Sequence, residues 1–411
     1  MNILVVALNF SPELVGCGKF NSEFVNWFSN KANKIIVITT NPYYPEWKSN
    51  KNYYNKSYQD NICIVRCPIY IPKKINTFTR ITHYLSFFIS SLPPILYFGL
   101  SKIDVALNMC PTILSSPNVL LISFIKKTFF RKKIVTWIHF ADLEIEAFTQ
   151  TKYFNNKIIR KIILFFEKIL LNNFDLISSI SFYMNQKIKS NVKKNKKIYY
   201  LPIFIETKEF SLIPDNKALN PFYQKLSLKS ENIVIMYSGT LNEKLSCECL
   251  VDTIKILSYR KDLTWIISGD GPKKNYFVKN LNNFNNVLFY DFQPYSELPY
   301  WLNIADIHLV PQKLSSVKYC MPSKLLGILA TGKPVIGIAP KDSDLGKILD
   351  KFGVRLSDED PQKMSKRLLE LINNEKLRLE LGEKGKKYIR KYHEKDNVLN
   401  NILIELKNLL Q

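Results

Sequence analysis

Histidine is scarce in this chain, with four residues in 411. A metal centre built on imidazole is therefore not expected. The seven cysteines are odd in number and scattered. Neither the pair at 63 and 67 nor the pair at 247 and 249 has the spacing and histidine partners of a zinc site, so reduced thiols are expected. No basic leader or small-residue cleavage site precedes the first apolar run, so a signal peptide is not expected and a cytoplasmic protein is. Acidic residues are also short, 35 against 58 basic, for a net charge of +23. That excess calls for an anionic partner: nucleic acid, an anionic bilayer or phosphorylated small molecules. The long stretch 81–101 is free of charge apart from His83, and Pro93-Pro94 interrupts it. It reads as two short helical pieces lying against the protein or dipping into one leaflet, or as a buried helix pair. There is no internal repeat, no low-complexity array and no recognisable nucleic-acid module.

What is present describes a globular α/β protein with room for two domains, 46% apolar and 13% aromatic. A strand over 3–8, a loop over 9–18, a helix over 19–28 and a strand over 34–39 form a βαβ opening. Gly16 and Gly18 in that loop allow close approach of a ligand to backbone at the carboxyl edge of the sheet. The dinucleotide fingerprint is incomplete: Asn21 stands where a third glycine belongs, and strand two ends in Thr39-Thr40-Asn41 without an acid for a ribose. A nicotinamide-type enzyme is disfavoured. Tyr43-Tyr44-Pro45-Glu46-Trp47 reads as a lid or acceptor wall at the same edge, or as plain packing. A strand over 133–138 ends in His139, followed by Asp142, Glu144 and Glu146. A histidine and a carboxylate there stand where open α/β sheets place their chemistry, with Asp142 the carboxylate chosen for a direct role. Lysines dense in 126–133 and 152–197 alternate with bulky apolar residues, a mixture that suits a membrane surface better than a nucleic-acid groove.

The domain boundary falls within 203–230, where Pro214 and Pro221 break a polar segment. Beyond it, a strand over 233–237 ends in Ser238-Gly239-Thr240-Leu241-Asn242-Glu243-Lys244. Small residues followed by a lysine suit a phosphate, and they equally suit a tight turn with an exposed lysine. Gly269-Asp270-Gly271-Pro272 is a turn needing unusual dihedrals. The stretch 321–338 begins Met321-Pro322-Ser323-Lys324 and predicts a helix opened by Pro322, stopped by Gly332 and followed by a buried strand. Its free N–H groups, the Ser323 hydroxyl and the Lys324 ammonium fit a phosphate or pyrophosphate. An ordinary helix–strand unit with a surface lysine fits the pattern as well.

Taken together, five pieces resemble the retaining family 4 glycosyltransferases of GT-B fold. They are Asn9-Phe10-Ser11-Pro12-Glu13 with Gly16 and Gly18, Asn41–Trp47, Trp137-Ile138-His139 with Asp142, Tyr237-Ser238-Gly239 with Lys244, and Met321-Pro322-Ser323-Lys324 with Gly332-Lys333-Pro334. They are most similar to the colanic-acid-type fucosyltransferases and the O-antigen N-acetyl-L-fucosaminyltransferases. The resemblance implies two Rossmann-like domains facing across a cleft: an acceptor domain over 1–203, a nucleotide-sugar domain over 204–390 and a terminal helix over 391–411 crossing back. It implies transfer from a nucleotide-sugar, UDP-N-acetyl-L-fucosamine or GDP-fucose, without a cofactor or an essential metal. Gly16, Gly18, Ser238, Gly239, Lys244, Met321, Ser323 and Lys324 would form the donor site, with Lys244, Ser323 and Lys324 on the diphosphate. His139 would lie near the transferred sugar, with Asp142 beside it as a second catalytic residue. The implied acceptor is an undecaprenyl-diphosphate-linked sugar at the inner face of the plasma membrane, in O-antigen, capsule or exopolysaccharide synthesis, and nucleic acid is not a partner. Two departures stand out: Gly327 and Tyr319 occupy the positions of the family's paired glutamates, and Thr240 that of its diphosphate-loop arginine. The competing expectations are a nucleotide-sugar 2-epimerase of the same fold and, from another class, a basic nucleic-acid- or membrane-binding protein without catalysis.

Overall fold

Unbroken β-branched runs such as Ile35-Ile36-Val37-Ile38 and Val234-Ile235 mark strands covered on both faces, the pattern of parallel sheets under helices. The computed structural model bears this out in the residues it describes, 1–13, 16–49, 51–111, 113–143, 157–211, 219–317 and 321–411. The chain divides into two compact units, Met1–Leu201 with Leu399–Gln411, and Pro202–Val398.

The first unit holds strands β1 (Asn2–Ala7), β2 (Lys34–Thr40), β3 (Asn55–Gln59), β4 (Ile62–Cys67), β5 (Val105–Met109), β6 (Val135–Phe140), β7 (Leu176–Ser179) and β8 (Lys197–Tyr200). Their order across the sheet is β3-β4-β2-β1-β5-β6-β7-β8. All neighbours pair in parallel except the β3–β4 hairpin. Strand order reverses at β1, which lies between β2 and β5, and that reversal opens a crevice at the carboxyl ends of β1 and β5. The first helix, Cys17–Ser29, returns from β1 and buries Phe24, Val25 and Phe28.

The expected pair of short helices over 81–101 is instead one helix, Thr77–Gly99, that runs through Pro93 and Pro94. A proline at 94 cannot donate to the Ser90 carbonyl one turn back. The Tyr54 hydroxyl donates to that carbonyl instead, at 2.8 Å. Nearby, the Asn118 amide donates to Phe88 O at 2.8 Å and to Ser91 Oγ at 3.1 Å, tying the middle of the helix to its neighbour, Ser116–Phe129. Among the described residues no helix is long and apolar enough to cross a membrane. The six described cysteines are free thiols.

The second unit is a parallel sheet of β9 (Ile233–Ser238), β10 (Leu263–Ser268), β11 (Val287–Tyr290), β12 (Ile307–Pro311), β13 (Val335–Ile338) and β14 (Val354–Leu356), in the order β11-β10-β9-β12-β13-β14. Here the order reverses at β9, flanked by β10 and β12. One apolar cluster lies around Trp265, Phe277 and Leu368, and a second around Trp301, Leu325 and Leu329. In the last helix, Lys395–Leu410, Glu405 forms an ion pair with Lys197 of β8.

Candidate active site

In the second unit the loops that leave the sheet at its reversal are fastened backbone to backbone. Gly239 N–H donates to Ser268 O and Leu241 N–H to Asp270 O, each at 2.9 Å, while Lys273 N–H returns to Leu241 O. Two glycines make this possible. A Cβ on Gly269 would stand 2.0 Å from Gly239 O, and one on Gly271 would stand 2.4 Å from Leu241 O, both at positive φ. The Gly269–Gly271 turn therefore serves the loop after β9.

That loop carries Ser238 and Gly239, both half-buried, and Lys244, which is exposed. Lys244 O accepts from Lys313 N–H just beyond β12. Glu359 holds the same two segments together: its carboxylate accepts from Ser246 Oγ at 2.5 Å and from Leu314 N–H at 3.0 Å. Leu314 starts the short helix Leu314–Val317, which leads toward Met321.

The helix expected after Met321 runs Lys324–Ala330 and ends with Gly332 at φ +72. Leu325 N–H bonds Pro322 O, so the turn opens at the proline as the sequence suggests. Met321 packs on the second apolar cluster, and Ser323 is exposed and makes no cap bond to the helix. Lys324 folds back over β9. Its Nζ lies 3.8 Å from the centre of the Tyr237 ring, and a Cβ on Gly239 would sit 3.1 Å from it. Only a glycine at 239 leaves room for the ammonium there.

Lys324 as a residue is half-buried, but its charged end lies between a ring and a backbone with no hydrogen bond or ion pair among the described residues. Burial pushes its pKa down to about 7. Tyr237 is itself buried, donates its hydroxyl to Thr240 O at 2.8 Å, and has its pKa raised by burial. Gly239 and Lys324 are thus brought together, with Ser238 next in the chain. Lys244 and Ser323 stand at exposed positions on the two loops. At Gly327 a Cβ would lie 3.1 Å from Leu302 Cδ1 and 3.7 Å from the Phe210 ring. Apolar side chains thus fill the surroundings of the position where the resemblance would place a ribose-binding glutamate. Tyr319 lies outside the described residues.

In the first unit, Gly16 precedes the helix Cys17–Ser29 at φ +61, with open space where a side chain would be except for Tyr44 at 3.9 Å. Gly18 has a different reason. A Cβ there would meet Glu13 O at 2.5 Å, so the bare position lets the helix close on its own loop. Glu13 is buried and its carboxylate accepts from Tyr43 N–H (2.7 Å), Tyr44 N–H (2.8 Å) and Asn9 Nδ2 (2.9 Å). It joins the loop after β1 to the aromatic segment after β2. In that segment Tyr43 is buried against His83, with ring centres 4.8 Å apart, and Trp47 is half-buried beside the same ring at 5.3 Å.

His139 sits near the end of β6, buried, stacked on Phe20 of the first helix at 5.5 Å. Its Nδ1 is 2.9 Å from Ser178 Oγ, which also accepts from Trp137 Nε1 at 2.7 Å. An indole N–H can only donate, so the serine oxygen accepts from Trp137 and either donates its own proton to Nδ1 or accepts a second hydrogen from it. Nε2 is buried and has no partner among the described residues. Burial pushes the His139 pKa down to about 3. The ring is neutral and held against the start of the first helix through Phe20. Asp142 is half-buried two residues past β6, and Glu144 and Glu146 lie outside the described residues.

Residues 221–388 match the family model described as Glycosyl transferases group 1. The chain is 29% identical over 418 residues to the putative colanic acid biosynthesis glycosyl transferase WcaI of Escherichia coli (strain K12), covering 99% of this chain and 100% of that one. Its fold is similar to sucrose-phosphate synthase from Thermosynechococcus elongatus, with a TM-score of 0.77 and 14% identity over 100% and 99% of the two chains. It is also similar to WaaG, a glycosyltransferase involved in lipopolysaccharide biosynthesis, with a TM-score of 0.66 and 11% identity over 94% and 95%.

Proposed function

Given a glycosyltransferase of GT-B fold with a group 1 domain, resembling family 4, we propose that it transfers a sugar from a nucleotide-sugar to a lipid-diphosphate-linked acceptor during synthesis of a cell-surface polysaccharide. The observation that carries this reading is Lys324, an ammonium set at the carboxyl edge of the second sheet, against Gly239 and without a protein anion among the described residues. A cation held so is costly until an anion arrives, and a diphosphate supplies one.

In this reading the anomeric carbon–oxygen bond breaks with its electron pair passing to the diphosphate, and Lys324 stabilises that charge as it develops. Lys244 and Ser323, exposed on the flanking loops, close on the same phosphates, with Ser238 and Met321 lining the donor. The acceptor hydroxyl oxygen bonds the anomeric carbon on the face the diphosphate leaves, and its proton passes to the departing phosphate oxygen. The configuration is retained and no metal is needed to neutralise the leaving group. His139 Nε2 hydrogen-bonds a hydroxyl of the transferred sugar, Asp142 holds the acceptor side, and Gly16 and Gly18 shape the loop that meets both. The donor is UDP-N-acetyl-L-fucosamine or GDP-fucose, chosen by likeness to the fucosyl-type relatives. With Phe210 and Leu302 packed about Gly327, no carboxylate at that position holds the ribose.

The test is incubation of the full chain with membranes carrying undecaprenyl-diphosphate-linked sugar and a panel of UDP- and GDP-sugars, followed by proton NMR of the product. One donor giving a product with retained anomeric configuration supports the reading. Inversion refutes the mechanism, and an epimerised nucleotide-sugar in solution with no transfer would identify the 2-epimerase.

A further inference from the structure

The segment that leaves β2, Asn41–Trp47, is rich in rings, and the structure separates their roles. Tyr43 is buried against His83 of the helix Thr77–Gly99, whereas Tyr44 and Trp47 are only half-buried. Around the Trp47 indole stand Tyr43, Tyr44 and His83, with ring centres 5.5, 6.4 and 5.3 Å away and planes inclined at 68°, 77° and 51°. None of these rings lies flat on the indole. Trp47 also has φ +53, a left-handed conformation that a bulky side chain seldom takes. Such strain persists where the surrounding structure holds it, and here Lys48 N–H donates to Tyr43 O at 3.2 Å across the turn. Burial of the indole does not account for the strain, because the indole is not fully buried.

Tyr44 borders an opening. Beside Gly16, before the helix Cys17–Ser29, a side chain would meet only the Tyr44 ring, at 3.9 Å, among the described residues. Glu13 fixes this arrangement, since its carboxylate takes the Tyr43 and Tyr44 amides and ties the segment to the loop that carries Gly16. Two hydrogen-bond acceptors lie at the base of the segment. His83 Nδ1 is 2.5 Å from Tyr70 O, and a carbonyl only accepts, so Nδ1 holds the ring hydrogen and Nε2 is a bare lone pair. Burial lowers the His83 pKa and keeps the ring neutral. Asn41 donates its amide to Tyr53 O at 2.9 Å, which leaves its Oδ1 to accept. Both side chains are buried, and neither Nε2 nor Oδ1 has a donor among the described residues.

We infer that Tyr44 and Trp47 form a stacking platform for a pyranose ring, the sugar of the acceptor. The face of an aromatic ring is electron-rich and attracts the polarised C–H groups on the apolar face of a sugar. Rings inclined to one another make a cradle for a puckered pyranose, not the flat slot that a nucleobase fills. An acyl chain would fit the rings but brings no hydrogen to acceptors such as Nε2 and Oδ1, whereas a sugar carries several hydroxyls. The platform therefore selects by ring face. A pyranose with one face made only of axial C–H groups stacks, and one with an axial hydroxyl on each face does not. The inference rests on the transferase reading only in naming the sugar as the acceptor. Glycoside binding is measured with no donor present, so either idea can fail alone.

The test is saturation-transfer NMR of the full chain with methyl β-D-glucopyranoside, with methyl β-D-gulopyranoside, which has an axial hydroxyl on each face, and with hexanol as an acyl-chain probe. Trp47→Leu, Tyr44→Leu and Trp47→Phe accompany the wild type, each checked by circular dichroism. We expect saturation on the axial hydrogens of one face of the glucoside and little on the guloside. Glucoside binding weakens about tenfold in either leucine variant and about twofold in the phenylalanine variant, which keeps a ring. In the transfer assay the leucine variants raise the acceptor KM about tenfold and leave the donor KM within about twofold. If Trp47→Leu does not fold, Tyr44→Leu still gives the answer. No saturation of the glucoside by the folded wild type overturns the inference, as does equal binding of glucoside and guloside or undiminished binding by folded leucine variants. Saturation of hexanol alone, lost in the same variants, would show an acyl-chain site and would likewise overturn it.

Discussion

Replacing Lys324 by methionine removes the charge and keeps most of the stem. If burial of the ammonium is as costly as its position implies, the variant is more stable than the wild type while failing to transfer sugar. The size follows from the displacement of the lysine pKa from 10.5 to about 7, which at roughly 1.4 kcal/mol for each pH unit is about 5 kcal/mol. Relaxation of the loop around the charge lowers what is measured, so we expect a gain of about 2–4 kcal/mol. The sign depends on pH. Below 7 both folded and unfolded chains carry the proton, and the folded one bears the whole penalty. Between 7 and 10.5 the folded lysine loses its proton while the unfolded one keeps it, so wild-type stability rises with pH and the variant's advantage shrinks. Above 10.5 the advantage is gone. Thermal unfolding of both proteins from pH 6 to 10, followed by hydrogen exchange in β9 and the Lys324–Ala330 helix, measures this. A variant that is equally stable or less stable at pH 6, with a difference that does not change with pH, would refute the reasoning.

Four further outcomes are expected. Gly269→Ala places a Cβ 2.0 Å from Gly239 O and costs about 3 kcal/mol or more, against about 1 kcal/mol for Gly16→Ala, where space is open; melting temperatures compare them. Glu13→Gln keeps an oxygen for the Tyr43 and Tyr44 amides but turns its NH2 toward the Asn9 Nδ2 donor and loses the charge that strengthens all three bonds, and costs about 1–3 kcal/mol in denaturant unfolding; a loss below the error of the method contradicts its role as the tie between the two loops. His139 and His308 are both held near pKa 3 by burial, so the folded ring stays neutral while an unfolded one takes a proton below 6.5. Each removes up to about 1.4 kcal/mol of stability per pH unit on the way down from 6.5 to 3, and histidine NMR shows neither ring titrating between pH 5 and 8. Glu359→Ala unties Ser246 from Leu314 and raises the donor KM about tenfold with a smaller change in kcat, and Glu359→Gln restores part of it.

Much of the architecture was legible because parallel strands announce themselves. β1, β2, β9, β10 and β13 are apolar runs closed by glycine, proline or small polar residues, and their helices follow at short spacing. The β3 strand, Asn-Lys-Ser-Tyr-Gln, is exposed along nearly its whole length and has no apolar rhythm to read; only its pairing with β4 makes it a strand. The long helix over 77–99 was misread because the rule that proline breaks a helix is local, whereas the hydroxyl that rescues the Ser90 carbonyl comes from Tyr54, 36 residues away.

The site divides the same way. Ser238, Gly239, Ser323 and Lys324 sit on motifs with a local signal, a strand end before glycine and a proline before a lysine. Which of them meet is decided by fold, and it is Gly239 and Lys324 that touch. Gly18 looked like Gly16 in the sequence, yet its bare position is used by Glu13. The ties made by Glu13 and Glu359 have no sequence signature, since their partners lie 30 and 113 residues away. Tyr237 could have been singled out, as an aromatic directly before Ser238-Gly239 in a strand otherwise built of aliphatic residues.

The central claim is that Lys324 receives the diphosphate of a nucleotide-sugar, and its most direct test is calorimetric titration of the full chain with UDP- and GDP-sugars in EDTA, wild type beside Lys324→Met. We predict that the wild type binds one donor and that the variant, still folded, binds it about a hundredfold more weakly, the loss of one charge-assisted contact to phosphate. Equal affinity in the two proteins, or no nucleotide-sugar bound by either, would contradict it.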